Sequence, residues 1–298
     1  MFLGTNFENY LYYCLRKLNM SQKISNFYFE IVPKRQFSLG LRELWLYREL
    51  CFFFIWRDVK VKYKQATLGI LWVLIQPLAM MFVFTLVFSR GLNMPSDGIA
   101  YPIFVLSGLL IWNIFSNGLQ NSANSIVTNS NIIKKIYFPR LIIPVAAVGT
   151  ALIDFFVTLF LFLLIIIFGN TPFDFLKFLC YFPIALLLTL FTTLGLGTWL
   201  AAWNVKYRDF QYVLPFAIQF LLFVNPVIYS PNILGNSWLK SLFLLNPIAT
   251  AIRLLRASFN KEYLPAHEIF IAFGISFLFC LIGIIVFRRM ETYFADLA

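Results

Sequence analysis

The stretch IIPVAAVGTALIDFFVTLFLFLLIIIF, residues 142–168, carries one charged side chain, Asp154, in an otherwise apolar run. A helix rises 1.5 Å per residue, so about 20 mainly apolar residues cross the roughly 30 Å of a bilayer core. Five further runs have this character: 68–88, broken only by Gln76, Pro77 and Thr85; 101–119, polar toward its end; 178–203; 213–229, which is short; and 269–287. A helix bonds all its backbone groups within its own segment, as lipid demands. The expected fold is therefore an all-α integral membrane protein with six transmembrane helices. The composition agrees: 60% of residues are hydrophobic and 12% charged, against about half apolar and a quarter charged in soluble domains.

Six spans place both termini on one side, and Lys and Arg collect on the cytoplasmic side. Residues 1–66 hold eleven of them, with more in the connections after spans two and four and at Arg288 and Arg289. The topology is read as N-in, C-in. The net charge of +11 then belongs to cytoplasmic loops and anionic headgroups, and no nucleic-acid partner is expected. Cys14, Cys51, Cys180 and Cys280 form no CxxC and read as small hydrophobes. The single histidine, His267, rules out a histidine-based metal cluster. The N-terminus shows no signal-peptide pattern.

Two regions are neither spans nor simple loops. The first, LRELWLYRELCFFFIWRDVKVKYKQ at 41–65, has an apolar centre too short to span. At 100° per residue, Arg42, Glu43, Glu49, Arg57, Lys60 and Lys64 share one arc, and Trp45, Phe52, Trp56, Val59 and Tyr63 lie toward the opposite side. An amphipathic helix lying in the cytoplasmic interface fits this pattern. The second, 230–268, contains two helical patterns, at 238–245 and 247–258. Pro247 suits a first helical turn. Each is too short to span and too apolar for a solvated loop, so a re-entrant pair on the outer side is expected. Arg253 and Arg256 share a helix face there. They are expected to snorkel to outer headgroups, with an anion contact at an exit as the alternative.

Asp154 is the one acid deep in an expected span, expected to bond a Ser, a Thr or the backbone of a neighbouring helix. Asn113, Asn117, Gln120, Asn121, Asn124, Asn129 and Asn131 cluster around the end of span two and either hold a helix end or line a wet vestibule. No HExxH, GxSxG or paired-carboxylate motif is present. No Gly-Lys pair occurs, so a P-loop is excluded. The stretch NIIKKIYFPRLIIP, 131–144, is cytoplasmic in this topology. Its basic residues follow from topology, but Ile136, Tyr137 and Phe138 do not, because exposed apolar clusters mark contacts. Pro139 disfavours helix at Phe138.

Four segments carry a resemblance. WRDVKVKYKQATLGILWVLIQPL (56–78), YPIFVLSGLLIWNIFS (101–116), NIIKKIYFPRLIIPVAAV (131–148) and LNPIATAIRLLR (245–256) resemble, in order, the signatures of type 2 ABC permeases that export lipid-linked polysaccharides. The resemblance runs from about residue 41 to the C-terminus and does not cover 1–40. It implies a homodimer in the bacterial cytoplasmic (inner) membrane, bound to two copies of a separate ATPase that holds the ATP and magnesium. This chain itself would bind no cofactor and perform no catalysis. The cargo implied is a polysaccharide on a polyprenyl-pyrophosphate carrier. O-antigen, capsule and wall teichoic acid exporters share this plan, and the motifs read closest to O-antigen.

The resemblance also assigns parts. Beyond residues 1–40, which the topology alone reads as a cytoplasmic extension, 41–65 would be the interface helix and 66–298 the permease domain, with a coupling segment at 129–140 and an outer gate segment at 230–266. Lys134, Lys135, Ile136, Tyr137, Phe138, Pro139 and Arg140 would engage the ATPase. Arg57, Lys60 and Lys64 would attract pyrophosphate at the cytoplasmic entrance. Tyr101, Phe104, Trp112 and Phe115 are candidates to line a channel along which sugar rings slide, and Arg253 and Arg256 belong to the outer gate. Two other classes compete. A membrane-integral glycosyltransferase or polymerase acting on lipid-linked sugars would need an organised carboxylate, with Asp58 and Asp209 available. A secondary transporter would need more buried ionisable groups.

Overall fold

The computed structural model describes residues 41–64, 69, 71–169, 171–207, 209–234, 243, 245–260 and 263–291. The expected extension at 1–40, the end of the interface helix at Gln65, most of the first outer half-helix and the tail from 292 lie outside the described residues. All regular elements among the described residues are helical. They are α1 (Leu41–Leu46), α2 (Arg48–Lys64), α3 (Leu71–Phe84), which continues as a wider π-helical turn at Thr85–Gly91, α4 (Tyr101–Thr128) and α5 (Ser130–Lys135). After these come α6 (Ile142–Phe168), α7 (Phe175–Lys206), α8 (Phe210–Val224), a 3₁₀ turn at Pro231–Leu234, α9 (Pro247–Arg256) and α10 (Ala266–Met290).

Five of these are long and apolar enough to cross a bilayer: α3 with its continuation, α4, α6, α7 and α10. The sixth expected span corresponds to α8, which is apolar but has 15 residues, about 22 Å of helix. It stops at Val224 because Asn225 is extended and Pro226 follows. The expected span at 142–168 has the bounds of α6. The one expected at 101–119 instead runs to Thr128. Its Asn-rich turns stay helical because they pack inside: Ser122, Ala123, Ser125 and Ile126 are buried, and Asn204 of α7 donates to the Ala123 carbonyl and to Asn124 Oδ1 at 3.1 and 2.9 Å. Asp174 caps α7, accepting from Leu176 N and Lys177 N, both at 3.1 Å.

Helix α4 is the hub of the fold. Phe104, Leu106, Leu109, Ile111 and Ile114 are fully enclosed, with α6 and α7 packed along it. Helices α7 and α10 cross in close contact at Gly195 and Gly283. A Cβ on Gly283 would lie 2.0 Å from the Gly195 carbonyl oxygen, and one on Gly195 would lie 2.4 Å from the Phe279 carbonyl carbon. Only glycines allow backbones this close. Helix α3 sits at the periphery, exposing Trp72, Ile75, Phe82 and Val83, and α8 exposes Tyr212, Phe216 and Phe220.

Candidate functional site

The expected interface helix breaks at Tyr47 into α1 and α2. Its expected aromatic side stays outward, and the residue that turns inward is Phe54, on the flank of the charged arc. Trp45, Phe52 and Trp56 are exposed, whereas Phe54 is buried in a cluster with Ile133, Phe138, Leu141, Ile142 and Phe287. Arg57 is held from three directions: Nε donates to Asp58 Oδ1 at 2.8 Å, Nη2 donates to Asn129 Oδ1 at 2.7 Å, and the guanidinium lies 4.8 Å from the Phe54 ring centroid. Arg57 therefore ties α2 to the end of α4. Lys60 and Lys64 are exposed.

Asp154 is almost completely buried in α6. A Ser, Thr or backbone partner was expected for it, and the structure corrects this. Lys62 Nζ of α2 donates to Oδ2, and the Tyr63 hydroxyl donates to Oδ1. A buried carboxylate without a cation is costly, and a lysine reaching in from the interface removes that cost while its own side chain stays 44% exposed. Burial and the bond to Asp154 together push the Tyr63 hydroxyl well above the ordinary tyrosine range.

Two clefts meet at Lys62. One, of about 240 Å³, is lined by Lys62, Tyr63, Trp72, Gln76, Asn113, Asn117, Asp154 and Phe155 among others. The second, of about 260 Å³, is lined by Arg57, Asp58, Lys62, Asn121, Asn124, Thr128 and Asn129 among others. At 100° per residue, Asn113, Asn117, Asn121, Asn124 and Thr128 fall within one narrow arc of α4. Asn113, Asn117, Asn121 and Asn124 of the Asn cluster thus form a polar stripe along α4 that lines the two clefts, whereas Gln120 and Asn131 line neither.

The segment between α5 and α6 leaves the helix at Ile136, which is extended at φ −133° and ψ 135°. The chain had to stop before Phe138, given Pro139, and it stops earlier, at Lys135. Phe138 and Pro139 turn inward and are buried, Ile136 is half-buried, and Lys134, Lys135 and Tyr137 face outward, Tyr137 being 78% exposed. Arg140 bonds the Glu291 backbone carbonyl, and its own backbone N donates to Glu291 Oε1 at 3.4 Å. Arg288 pairs with Glu291 at 3.0 Å and with Glu43 at 3.3 Å. The connection is thereby tied to the end of α10 and to α1.

At the other end of the fold, Asn246 caps α9, accepting from Ile248 N at 3.0 Å and Ala249 N at 3.4 Å, and the helix starts at Pro247 as its first-turn preference suggests. Arg253 pairs with Glu268 of α10 at 2.6 Å. Arg256 points into the protein. Its Nη1 donates to the Pro226 carbonyl at 2.8 Å, and Nη2 donates to the Val227 and Phe104 carbonyls at 2.7 and 3.0 Å. Its guanidinium lies 3.4 Å from the Phe104 ring centroid. Gly108 makes room for this, since a Cβ there would lie 2.9 Å from Nη2. Snorkelling is thus overturned for Arg256, whose guanidinium is buried, while Arg253 stays partly exposed beside Glu268.

Comparison with known proteins bears on this arrangement. The family description "ABC-2 type transporter" matches residues 49–260, from α2 through α9. The chain belongs to the ABC-2 type transporter family. It is similar to an O-antigen export system permease protein of Myxococcus xanthus, 32% identical over 232 residues, covering 76% of this chain and 86% of the relative. It is 26% identical over 244 residues to an O-antigen export system permease protein of Klebsiella pneumoniae, covering 81% and 92%. It is 22% identical over 212 residues to a polysialic acid transport protein of Escherichia coli, covering 70% and 80%.

As an ABC-2 permease the chain is a multi-pass membrane protein, and transporters of this family work with a nucleotide-binding ATPase subunit. The expected channel-lining aromatics sit inside the fold of this chain. Tyr101, Phe104, Trp112 and Phe115 are all buried, with Tyr101 donating to the Ile228 carbonyl at 2.8 Å and Trp112 packed on Phe115. They are core residues of the hub helix in this conformation, because α4 is wrapped by other helices. The expected entrance trio is divided: Arg57 is spoken for and Lys60 and Lys64 are exposed. Lys62 carried no signal of its own, since its partner lies 92 residues away. Of the carboxylates open to an enzyme reading, Asp58 is paired with Arg57 at 2.7 Å and Asp209 is exposed at the start of α8.

Proposed function

We propose that this chain is the transmembrane subunit of an ATP-driven exporter that moves a polyprenyl-pyrophosphate-linked polysaccharide, with O-antigen as the cargo, out of the cytoplasm across the bacterial inner membrane. The observation that carries this reading is the similarity to O-antigen export permeases over three quarters or more of both chains. A glycan cannot cross lipid unaided, because each hydroxyl would lose its water. In this reading six spans, with α8 as the short one, run N-in and C-in, and α1 and α2 lie in the cytoplasmic interface. The permease works as a homodimer, and the apolar faces of α3 and α8 meet lipid or the second copy.

Two copies of a separate ATPase hold ATP and magnesium at the cytoplasmic face. Lys134, Lys135 and Tyr137 present the contact, while Ile136, Phe138, Pro139 and Arg140 anchor that segment to α2 and α10. Nucleotide-driven closure of the ATPases pushes on the segment, and the push reaches α2 through Phe138 and Phe54. Lys60 and Lys64 attract the pyrophosphate. Arg253 and Arg256 hold the outer segment by ion pairing and carbonyl bonding.

The test is co-purification of an ATPase with the tagged chain, followed by ATP-dependent, vanadate-sensitive movement of lipid-linked polysaccharide into inverted vesicles. Sugar transfer by the purified chain alone, with no nucleotide-dependent movement, would replace the exporter with a transferase.

A further inference from the structure

The polar stripe of α4 has acceptors and donors to spare. The side-chain amides of Asn113, Asn117 and Asn121 make no hydrogen bond among the described residues, although Asn113 and Asn117 are half-buried in a predominantly apolar protein. By contrast Asn124 is held by Asn204 and Asn129 by Arg57. Polar groups lodged inside a membrane protein are expected to be bonded. Asn113 and Asn117, with exposed Asn121 one turn further on, can therefore take hydrogen-bonding partners from water or from a ligand on the walls of the two clefts that share Lys62.

The rest of the lining narrows what that ligand is. Trp72 and Tyr63 supply aromatic surface beside Asn113 and Asn117, and flat apolar faces next to paired donors and acceptors suit a sugar ring. Lys62 lines both clefts. It is the cation at the junction, held by Asp154, and the half-exposed ammonium suits a phosphate.

We propose that the two clefts that share Lys62, between α2, α3, α4 and α6, form a binding site for the glycosyl-phosphate head of a lipid carrier, with Asn113, Asn117 and Asn121 bonding sugar hydroxyls and Lys62 bonding the phosphate. This deepens the export reading and rests on it. Arriving phosphate draws Lys62 from Asp154, and Tyr63 keeps its bond to the carboxylate. The site is distinct from the exposed Lys60 and Lys64, which act by attraction at longer range.

The test is equilibrium binding to the full-length permease in nanodiscs of zwitterionic lipid. The probes are radiolabelled farnesyl pyrophosphate carrying one hexose, farnesyl pyrophosphate alone and inorganic pyrophosphate, with phosphatidylglycerol as competitor. N117A/N121A should weaken the hexosyl probe about tenfold, two lost hydrogen bonds, and leave farnesyl pyrophosphate unchanged. D154N should tighten both lipid probes severalfold by releasing Lys62, and K62Q/D154N should weaken both about tenfold or more. Thermal unfolding of each variant separates lost binding from lost folding, and N117A/N121A alters only side chains with no hydrogen bond among the described residues. Unchanged hexosyl binding in N117A/N121A, or unchanged affinity in D154N, overturns the site. Full displacement by phosphatidylglycerol makes it a membrane-lipid site, and binding of inorganic pyrophosphate as tight as the lipid probes makes it a free-anion site; either overturns the proposal. Vesicles that export polysaccharide but bind no hexosyl probe overturn this site alone, whereas wild-type vesicles that export nothing overturn the proposed function.

Discussion

Phe54 of α2 and Phe138 of the connection between α5 and α6 pack with ring centroids 5.7 Å apart, both rings buried. The contact joins the helix expected at the membrane interface to the segment expected to meet the ATPase. Neighbouring Tyr137 faces outward. Two adjacent aromatics thus have opposite duties, and single substitutions should separate them. Phe138→Ala removes a buried ring and should cost about 3–5 kcal/mol of stability. Tyr137→Ala, at an exposed side chain, should cost clearly less stability than Phe138→Ala while lowering polysaccharide export per ATP hydrolysed. Thermal unfolding in detergent and paired ATPase and export assays check both. Equal destabilisation by the two, or normal export by Tyr137→Ala, would break the division.

Arg256 should not tolerate lysine. Its fork reaches three backbone carbonyls from two nitrogens while its face covers the Phe104 ring. Lysine keeps the charge but has neither the planar fork nor the stacking face. Losing one or two charge-assisted bonds in a buried site gives an expected loss of roughly 3 kcal/mol for Arg256→Lys. Arg253→Lys, whose partner is the single carboxylate of Glu268, should cost about 1 kcal/mol or less. Denaturation midpoints of the two variants, measured side by side, decide whether the deeper arginine is the structural one.

What could be read along the chain was what one segment determines alone. The run at 142–168 names its own helix because 27 mainly apolar residues with a single charge leave no other solution in lipid. Pro139 and Pro247 announce a stop and a start through local sterics. The partners of Asp154 and the burial of Arg256 were not legible, since both depend on residues distant in the chain: Lys62, 92 positions away, and Phe104, 152 positions away. Helical periodicity put Arg253 and Arg256 on one face, but α9 is enclosed on nearly all sides, so a shared face does not mean a shared environment. The Asn cluster was visible as composition. Its alignment into a stripe needed α4 to continue past 119, which packing of Ser122 and Ile126 secures.

The α7–α10 crossing offers a steric test. Gly283→Ala puts a Cβ where the Gly195 carbonyl oxygen stands, at 2.0 Å, and backbone atoms cannot step aside as a side chain would. Overpacking of this kind costs about 1–3 kcal/mol or more. Gly274 lies on the same helix, and a methyl group there would meet nothing within 4 Å, so Gly274→Ala should be neutral or slightly stabilising, by up to about 1 kcal/mol. Membrane yield and thermal midpoint of the two variants should therefore diverge, and similar behaviour would mean the helices do not cross at these glycines.

The Lys62–Asp154 pair should show strong non-additivity. Lys62→Ala leaves the buried carboxylate with the Tyr63 hydroxyl as its one remaining side-chain partner among the described residues. Breaking a buried pair costs about 3–5 kcal/mol, and because Lys62 is 44% exposed water offsets part of that, leaving an expected loss of about 1–3 kcal/mol. Asp154→Asn removes the charge that needs a partner, keeps an acceptor for Tyr63 and frees Lys62 to face water. Lys62→Ala combined with Asp154→Asn should then be more stable than Lys62→Ala alone. A double-mutant cycle on thermal unfolding measures the coupling, and additive losses would mean that the lysine and the carboxylate do not meet in the folded permease.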